Sequence, residues 1–144
     1  MNEGTPEEQV RQLVSAYQHF QAEAETLARQ LNLSQMTMEE LSRAVSTVDA
    51  MEKAEPGEEL MVPIGSGSFL HATLASTAVV LNVGAGISVE KPPAEAKEAL
   101  TARKADVAAG SKKIADLLGK IEQEMAKIES ILQKAEAARS EGFV

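Results

Sequence analysis

The residues best suited to chemistry in this sequence are two histidines and two serines set among glycines. Ser66 and Ser68 lie in "VPIGSGSFL", where the order Gly-Ser-Gly-Ser differs from the Gly-x-Ser-x-Gly elbow of a serine nucleophile. His19 and His71 have no second His, Cys or suitably spaced carboxylate to complete a metal-ligand set. We interpret His71 as a half-buried strand residue, and we predict no active site, no metal and no cofactor.

The glycine triplet Gly65–Gly67 admits two interpretations, a phosphate cradle or the turn of a hairpin. A P-loop needs Gly-x-x-x-x-Gly-Lys-Ser/Thr between a strand and a helix, and here both the spacing and the lysine are missing. Glycine also supplies the positive φ angles that short hairpin turns require. We therefore favour a turn.

Length and composition narrow the class of protein. A chain of 144 residues fits one domain, 1–144, and only 3% of its residues are aromatic. The net charge of −8 argues against nucleic acid as a partner. No apolar run approaches the roughly 20 residues of a bilayer-spanning helix, so we expect no membrane insertion. With no Cys and no secretion signal at the start, we predict a cytoplasmic protein.

The two flanks have the pattern of long helices. The first, at about 5–54, opens with Thr5 as N-cap, Pro6 in the first turn and Glu8 three residues on, and it stops at "EPG". The second, at about 93–139, opens at Pro93. Spacings of three and four alternate along both, which predicts an antiparallel coiled coil with both outer helix ends at its tip. The seam positions are Val10, Leu13, Tyr17, Phe20, Ala24, Leu27, Leu31, Ser34, Met38, Leu41, Val45 and Val48 in the first helix, and Leu100, Lys104, Val107, Ser111, Ile114, Leu118, Ile121, Met125, Ile128, Leu132 and Ala135 in the second.

The centre of the chain, at about 59–90, changes to a period of two and predicts two β-hairpins. We expect Gly65, Gly67, Gly84 and Gly86 to form the turns. In the first hairpin, this would place Val62 opposite Leu70 and Leu60 opposite Ala72, and in the second it would place Val83 opposite Ile87. Pro63 cannot donate a ladder hydrogen bond, so we expect an edge or a bulge there.

Two separate hairpins, each with one apolar face, are not stable in water without another layer. We expect both helices to use their apolar stripes on each other, so the hairpins would be covered only by other subunits. Closure into an intersubunit β-barrel would also remove the exposed strand edges. The fold class is thus α+β. The residues predicted to carry this assembly are Leu60, Val62, Ile64, Leu70, Ala72, Leu74, Val79, Leu81, Val83, Ile87 and Val89.

"LMVPIGSGSFLHATL" and "AVVLNVGAGISVEK", flanked by long heptad helices, resemble the alpha-type subunits of archaeal prefoldins along essentially the whole chain. The resemblance implies a hexamer of two alpha and four beta-type subunits, with two β-barrels and six coiled-coil arms. It implies an ATP-independent holdase that grips non-native proteins at the arm tips and passes them to a group II chaperonin. Gly110 and Gly119, which interrupt the second helix, depart from the family pattern.

The second helix becomes more apolar towards the tip, and Leu117 and Ile131 fall beside the seam. Surplus apolar surface near a helix end suits unfolded clients. Most of these residues could pack in the seam or contact a client. Phe143 could belong to a disordered tail or contact a client. The candidate client-binding residues are Val10, Leu13, Val14, Tyr17, Phe20, Met125, Ile128, Ile131, Leu132 and Phe143. A different class, a structural protein with passive spacer arms, remains the alternative.

Overall fold

The computed structural model describes residues 4–141, and Phe143 lies outside this range. The elements are α1 (Pro6–Glu52), β1 (Glu59–Gly65), β2 (Ser68–Thr73), β3 (Val79–Gly84), β4 (Ile87–Lys91) and α2 (Pro93–Glu141). Contacts divide the described chain into two compact units: 4–35 with 109–141, and 36–108. The α+β class, with two long helices and two central hairpins, is confirmed.

Both helices begin where the sequence signals place them. The Glu8 backbone N–H donates to Thr5 Oγ1 at 3.3 Å, and Pro6 is the first helical residue of α1. Pro93 opens α2, where the Ala96 N–H donates to the Pro92 carbonyl at 3.0 Å. A hydroxyl cap and a proline each suit a first turn, whose N–H groups have no partner inside the helix.

The unit of residues 4–35 and 109–141 is built from two helical segments. Every seam position predicted within these segments is buried or half-buried, with Ile121 and Ile128 the most buried. The first turns of α1 and the last turns of α2 line one common pocket, so the two segments run antiparallel. The antiparallel coiled coil predicted from the 3.5-residue period is therefore present in this unit.

The unit of residues 36–108 holds the hairpins and the buried cluster of the chain. Val48 of α1, Leu81 of β3, and Ala96 and Leu100 of α2 pack together, and Leu81 is only 5% exposed. The expectation that the helices leave both hairpins uncovered is thus wrong for the part of the second hairpin that holds Val79 and Leu81. There Leu81 packs with the fully buried Ala96 of α2. Burial of one such leucine is worth about 1.5–3 kcal/mol.

The two hairpins are separate two-stranded antiparallel sheets, so each keeps two unpaired edges. In the first, Val62 faces Leu70 and Leu60 faces Ala72, as predicted, and the register shifts between Pro63 and Gly65.

In the second hairpin, the expected pairing of Val83 with Ile87 is wrong, because Gly84 faces Ile87. The register shift after Asn82 shortens the turn to Ala85 and Gly86, whose φ angles of 53° and 74° are both positive. Positive φ at both central residues is the backbone of a type I′ turn.

Candidate functional site

The two outer helix ends line an open pocket of about 710 Å³, which we call the terminal pocket. Its lining residues are Thr5, Pro6, Glu7, Val10, Arg11, Ala135 and Arg139. The pocket lies wholly within the coiled-coil unit, and its lining combines apolar side chains with charged ones.

The predicted client-binding residues of this unit fall into two sets. Val10, Leu13, Tyr17, Phe20, Met125, Ile128 and Leu132 are buried or half-buried in the seam. Val14 and Ile131 are instead exposed, at 39% and 50%, although each is one helical turn from a residue that lines the terminal pocket. Leu117, also placed beside the seam, is exposed as well. Fewer of the predicted client-binding residues are therefore exposed than expected. Near the pocket, the exposed ones are Val14 and Ile131.

The first hairpin presents apolar side chains on both of its faces. Val62 and Leu70 form a cross-strand pair on one face, and Pro63 and Phe69 form a pair on the other. Leu70 is 57% exposed and Phe69 is 53% exposed, so both faces remain open to solvent within the described chain. Of the predicted assembly residues, Leu60, Ala72 and Leu74 are half-buried and Ile64 is exposed.

The second hairpin keeps its predicted alternation along most of its length. Leu81 is buried and Val79 and Val89 are half-buried, whereas Ser88 and Glu90 on the opposite face are exposed. Val83 and Ile87, close to the turn, are also exposed. Apolar side chains therefore remain uncovered at the turn end of this hairpin.

The side chains that could take part in catalysis or metal binding are not brought together. Ser66 has a φ of 50° within the first turn, which makes Gly65–Gly67 part of a hairpin and not of a strand-to-helix loop. His19 lies 4.0 Å from Glu23 on the exposed surface of α1. His71 is exposed, which corrects the half-buried position expected for it. Across residues 4–141, no three Asp, Glu or His side chains are grouped as a metal site.

Two polar contacts fix the helices within the hairpin unit. Lys97 Nζ donates to Asp49 Oδ1 at 2.6 Å, which lowers the pKa of the aspartate and raises the pKa of the lysine, first through this hydrogen bond and then through the opposite charge. The Arg103 guanidinium donates to the backbone carbonyl of Asn82, which ties α2 to β3. The ion pair therefore joins α2 to α1, and the Arg103 contact joins α2 to the second hairpin.

Three features of these surfaces were not predicted from the sequence. Two are the positions of Arg11 and Arg139 in the lining of the terminal pocket, and the third is the second apolar face of the first hairpin, formed by Met61 with Phe69. The position of Arg139 could have been predicted, because Arg139 follows Ala135 by four residues on the same face of α2. The second apolar face was hidden by the proline and histidine that interrupt the run.

Two long helices joined through two small antiparallel β-hairpins define a class of coiled-coil proteins. Residues 20–138 match the family model described as "Prefoldin subunit". The chain is 55% identical over 111 residues to the prefoldin subunit alpha of Methanothrix thermoacetophila, covering 76% of this chain and 72% of that protein. It is 38% identical over 127 residues to that of Methanococcoides burtonii, covering 88% and 92%. The chain therefore belongs to the prefoldin family of chaperones.

A solved structure shares the fold. One chain in the cryo-EM structure of filamentous PFD from Methanocaldococcus jannaschii superposes with a TM-score of 0.53 and 22% identity, covering 85% of this chain and 97% of that one. Within residues 4–141, no helix has an apolar stretch able to cross a bilayer.

Proposed function

We propose that this chain is the alpha-type subunit of a chaperone that holds non-native proteins without nucleotide and transfers them to a group II chaperonin. It has no catalytic role in this proposal. The observation that supports it most is the exposure of Val14 and Ile131 beside the terminal pocket. A two-helix seam uses only its a and d positions, so apolar side chains outside the seam are surplus to helix pairing. Such surfaces suit unfolded chains, which expose apolar residues in many arrangements.

Assembly completes the proposal. The first hairpin has two open edges and two apolar faces, and isolated hairpins are unstable in water. We propose that beta-type subunits cover it, two alpha with four beta, in an intersubunit β-barrel. The alternative is that copies of this chain associate with one another through the same surface. The cytoplasmic location stays a prediction.

The test is suppression of aggregation of a chemically unfolded protein, followed by light scattering, with the assembled complex and without nucleotide. We expect suppression by the complex that contains the full chain. Removal of residues 1–19 and 126–144 takes away the terminal pocket with Val14 and Ile131 and leaves both hairpins. We expect this truncation to abolish suppression while the complex still assembles. Full suppression by the assembled truncated complex would move client binding away from the terminal pocket.

A point variant separates client contact from coiled-coil stability. Val14→Ser with Ile131→Ser removes two exposed apolar side chains outside the seam. Met36→Ser is the matched control, because Met36 is also exposed on α1 but belongs to the hairpin unit. We expect the double variant to hold clients less well at unchanged melting temperature, and the control to hold them as well as the parent chain.

The structural alternative, passive spacer arms on an oligomer, makes the opposite prediction. An assembled complex of the full chain would then leave the aggregation of the unfolded protein unchanged. Transfer to a group II chaperonin is tested separately, by adding the chaperonin with ATP to the preformed chaperone–client complex. Recovery of native client activity supports transfer, and a client that stays bound contradicts it.

A further inference from the structure

The terminal pocket has a charge opposite to that of the whole chain. Arg11 and Arg139 line it together with one acid, Glu7, so the pocket carries one net positive charge. The whole chain has a net charge of −8. Within residues 4–141, neither guanidinium forms an ion pair or a hydrogen bond, whereas Lys97 and Lys127 are paired with carboxylates. The pocket thus offers two cations that the described protein does not use.

The surroundings of these two arginines suit a carboxylate beside an apolar group. Pro6, Val10 and Ala135 provide the apolar part of the lining. A guanidinium binds a carboxylate through two parallel N–H donors, and it is weakly hydrated, so it tolerates partial removal of water. A ligand that places an acidic side chain next to an apolar one would satisfy both parts of the pocket.

We propose that the terminal pocket selects segments of non-native polypeptides in which Asp or Glu neighbours large apolar residues. The acidic side chain pairs with Arg11 and Arg139 while its apolar neighbour packs on Val10 and Ala135. This proposal rests on the proposed function and adds the class of segment that the pocket prefers. The acidic chain as a whole favours the opposite choice, basic segments, through long-range attraction. Ion pairing within the pocket therefore favours acidic segments, whereas the long-range field of the whole chain favours basic ones.

The experiment measures binding of three fluorescent peptides to the assembled complex by anisotropy. The peptides share one Leu- and Phe-containing sequence and differ at two positions, which are Asp, Asn or Lys. We expect the Asp peptide to bind about three- to tenfold more tightly than the Asn peptide, as one or two solvent-exposed ion pairs would give. The preference should shrink as salt is raised, because screening weakens exposed pairs. Equal binding of the three peptides, or preference for Lys, overturns the proposal.

Matched variants assign the preference to the pocket. Arg11→Gln with Arg139→Gln removes both cations and keeps good helix formers in place. Arg29→Gln with Arg43→Gln removes the same charge from exposed positions on α1 outside the pocket. Arg11→Lys with Arg139→Lys keeps the charge and loses the paired donors. We expect loss of the Asp preference in the first variant, full preference in the second and partial preference in the third. A first variant that keeps the preference overturns the proposal.

The two levels of the proposal fail separately. If the complex suppresses aggregation and binds all three peptides equally, the preference is wrong and the chaperone function stands. If the complex neither suppresses aggregation nor binds any peptide, the proposed function itself is wrong.

Discussion

Lys97 Nζ lies 2.6 Å from Asp49 Oδ1, which joins α2 to α1 next to the buried residues Ala96 and Val48. Both side chains are partly exposed, so the pair orients the helices more than it stabilises them. Its position beside the cluster that covers Leu81 makes it a direct reporter of the hairpin unit.

The ion pair predicts how stability depends on pH. The pKa of Asp49 is lowered below its usual 3.8, so its contribution is present above that value and is lost as pH falls through the folded pKa. The pKa of Lys97 is raised above 10.5, so its contribution is present below that value and is lost as pH rises through the folded pKa. Asp49→Asn should therefore lower the melting temperature slightly at pH 7 and not at pH 2. Asp106→Asn, at an exposed position on α2, is the control, and an equal effect of both variants at pH 7 would contradict the role of the pair.

The burial of Leu81 predicts a division of roles between the hairpins. Leu81→Ala should lower the free energy of unfolding by about 2–5 kcal/mol, because it opens a cavity among Val48, Ala96 and Leu100. Leu70→Ala removes a leucine that the chain itself leaves exposed, so it should weaken assembly with other subunits instead. Urea unfolding at fixed protein concentration and hydrodynamic mass measure the two effects. Similar losses of assembly in both variants would contradict the division.

Replacing Gly65 or Gly110 by alanine should change the stability of the chain in opposite directions. Gly65 has a φ of 108°, so Gly65→Ala should destabilise the first hairpin by about 1–3 kcal/mol. Gly110 lies within α2, and an added Cβ would meet nothing within 4 Å. Gly110→Ala should therefore stabilise the chain by about 0.5–1 kcal/mol. Thermal unfolding followed by circular dichroism measures both, and a stabilising Gly65→Ala would show that the end of β1 does not need the positive φ of Gly65.

Ile128 and Ile131 differ in burial, and the same substitution should therefore change stability by different amounts at the two positions. Ile128 is 7% exposed, so Ile128→Val, which deletes one methyl group from the seam, should lower stability by about 0.5–1.5 kcal/mol. Ile131→Val deletes the same group from an exposed position, and the melting temperature should stay within error. Thermal unfolding of the two variants makes the comparison, and equal shifts would place Ile131 in the seam.

The sequence predicted most of the fold because heptad spacing and the hairpin glycines are local signals. Seam positions such as Ser34 and Ser111 could be assigned despite being polar, since the period continues on both sides of them. The pairing of Gly84 with Ile87 could not be predicted, because a bulge shifts the register without changing the composition. The burial of Leu81 depends on tertiary contacts with Val48, Ala96 and Leu100, which a periodic pattern does not report. The terminal pocket likewise depends on which residues of two distant segments meet.

The most direct test of the central claim is the solution mass of the chain, alone and mixed with a beta-type subunit, by sedimentation equilibrium. We expect the mixture to form one species with the mass of two alpha and four beta-type subunits. We also expect Leu70→Asp, which places a charge on the exposed face of the first hairpin, to prevent that species from forming. A chain that remains a folded monomer of 15.3 kDa in the presence of the partner would contradict assembly through the first hairpin.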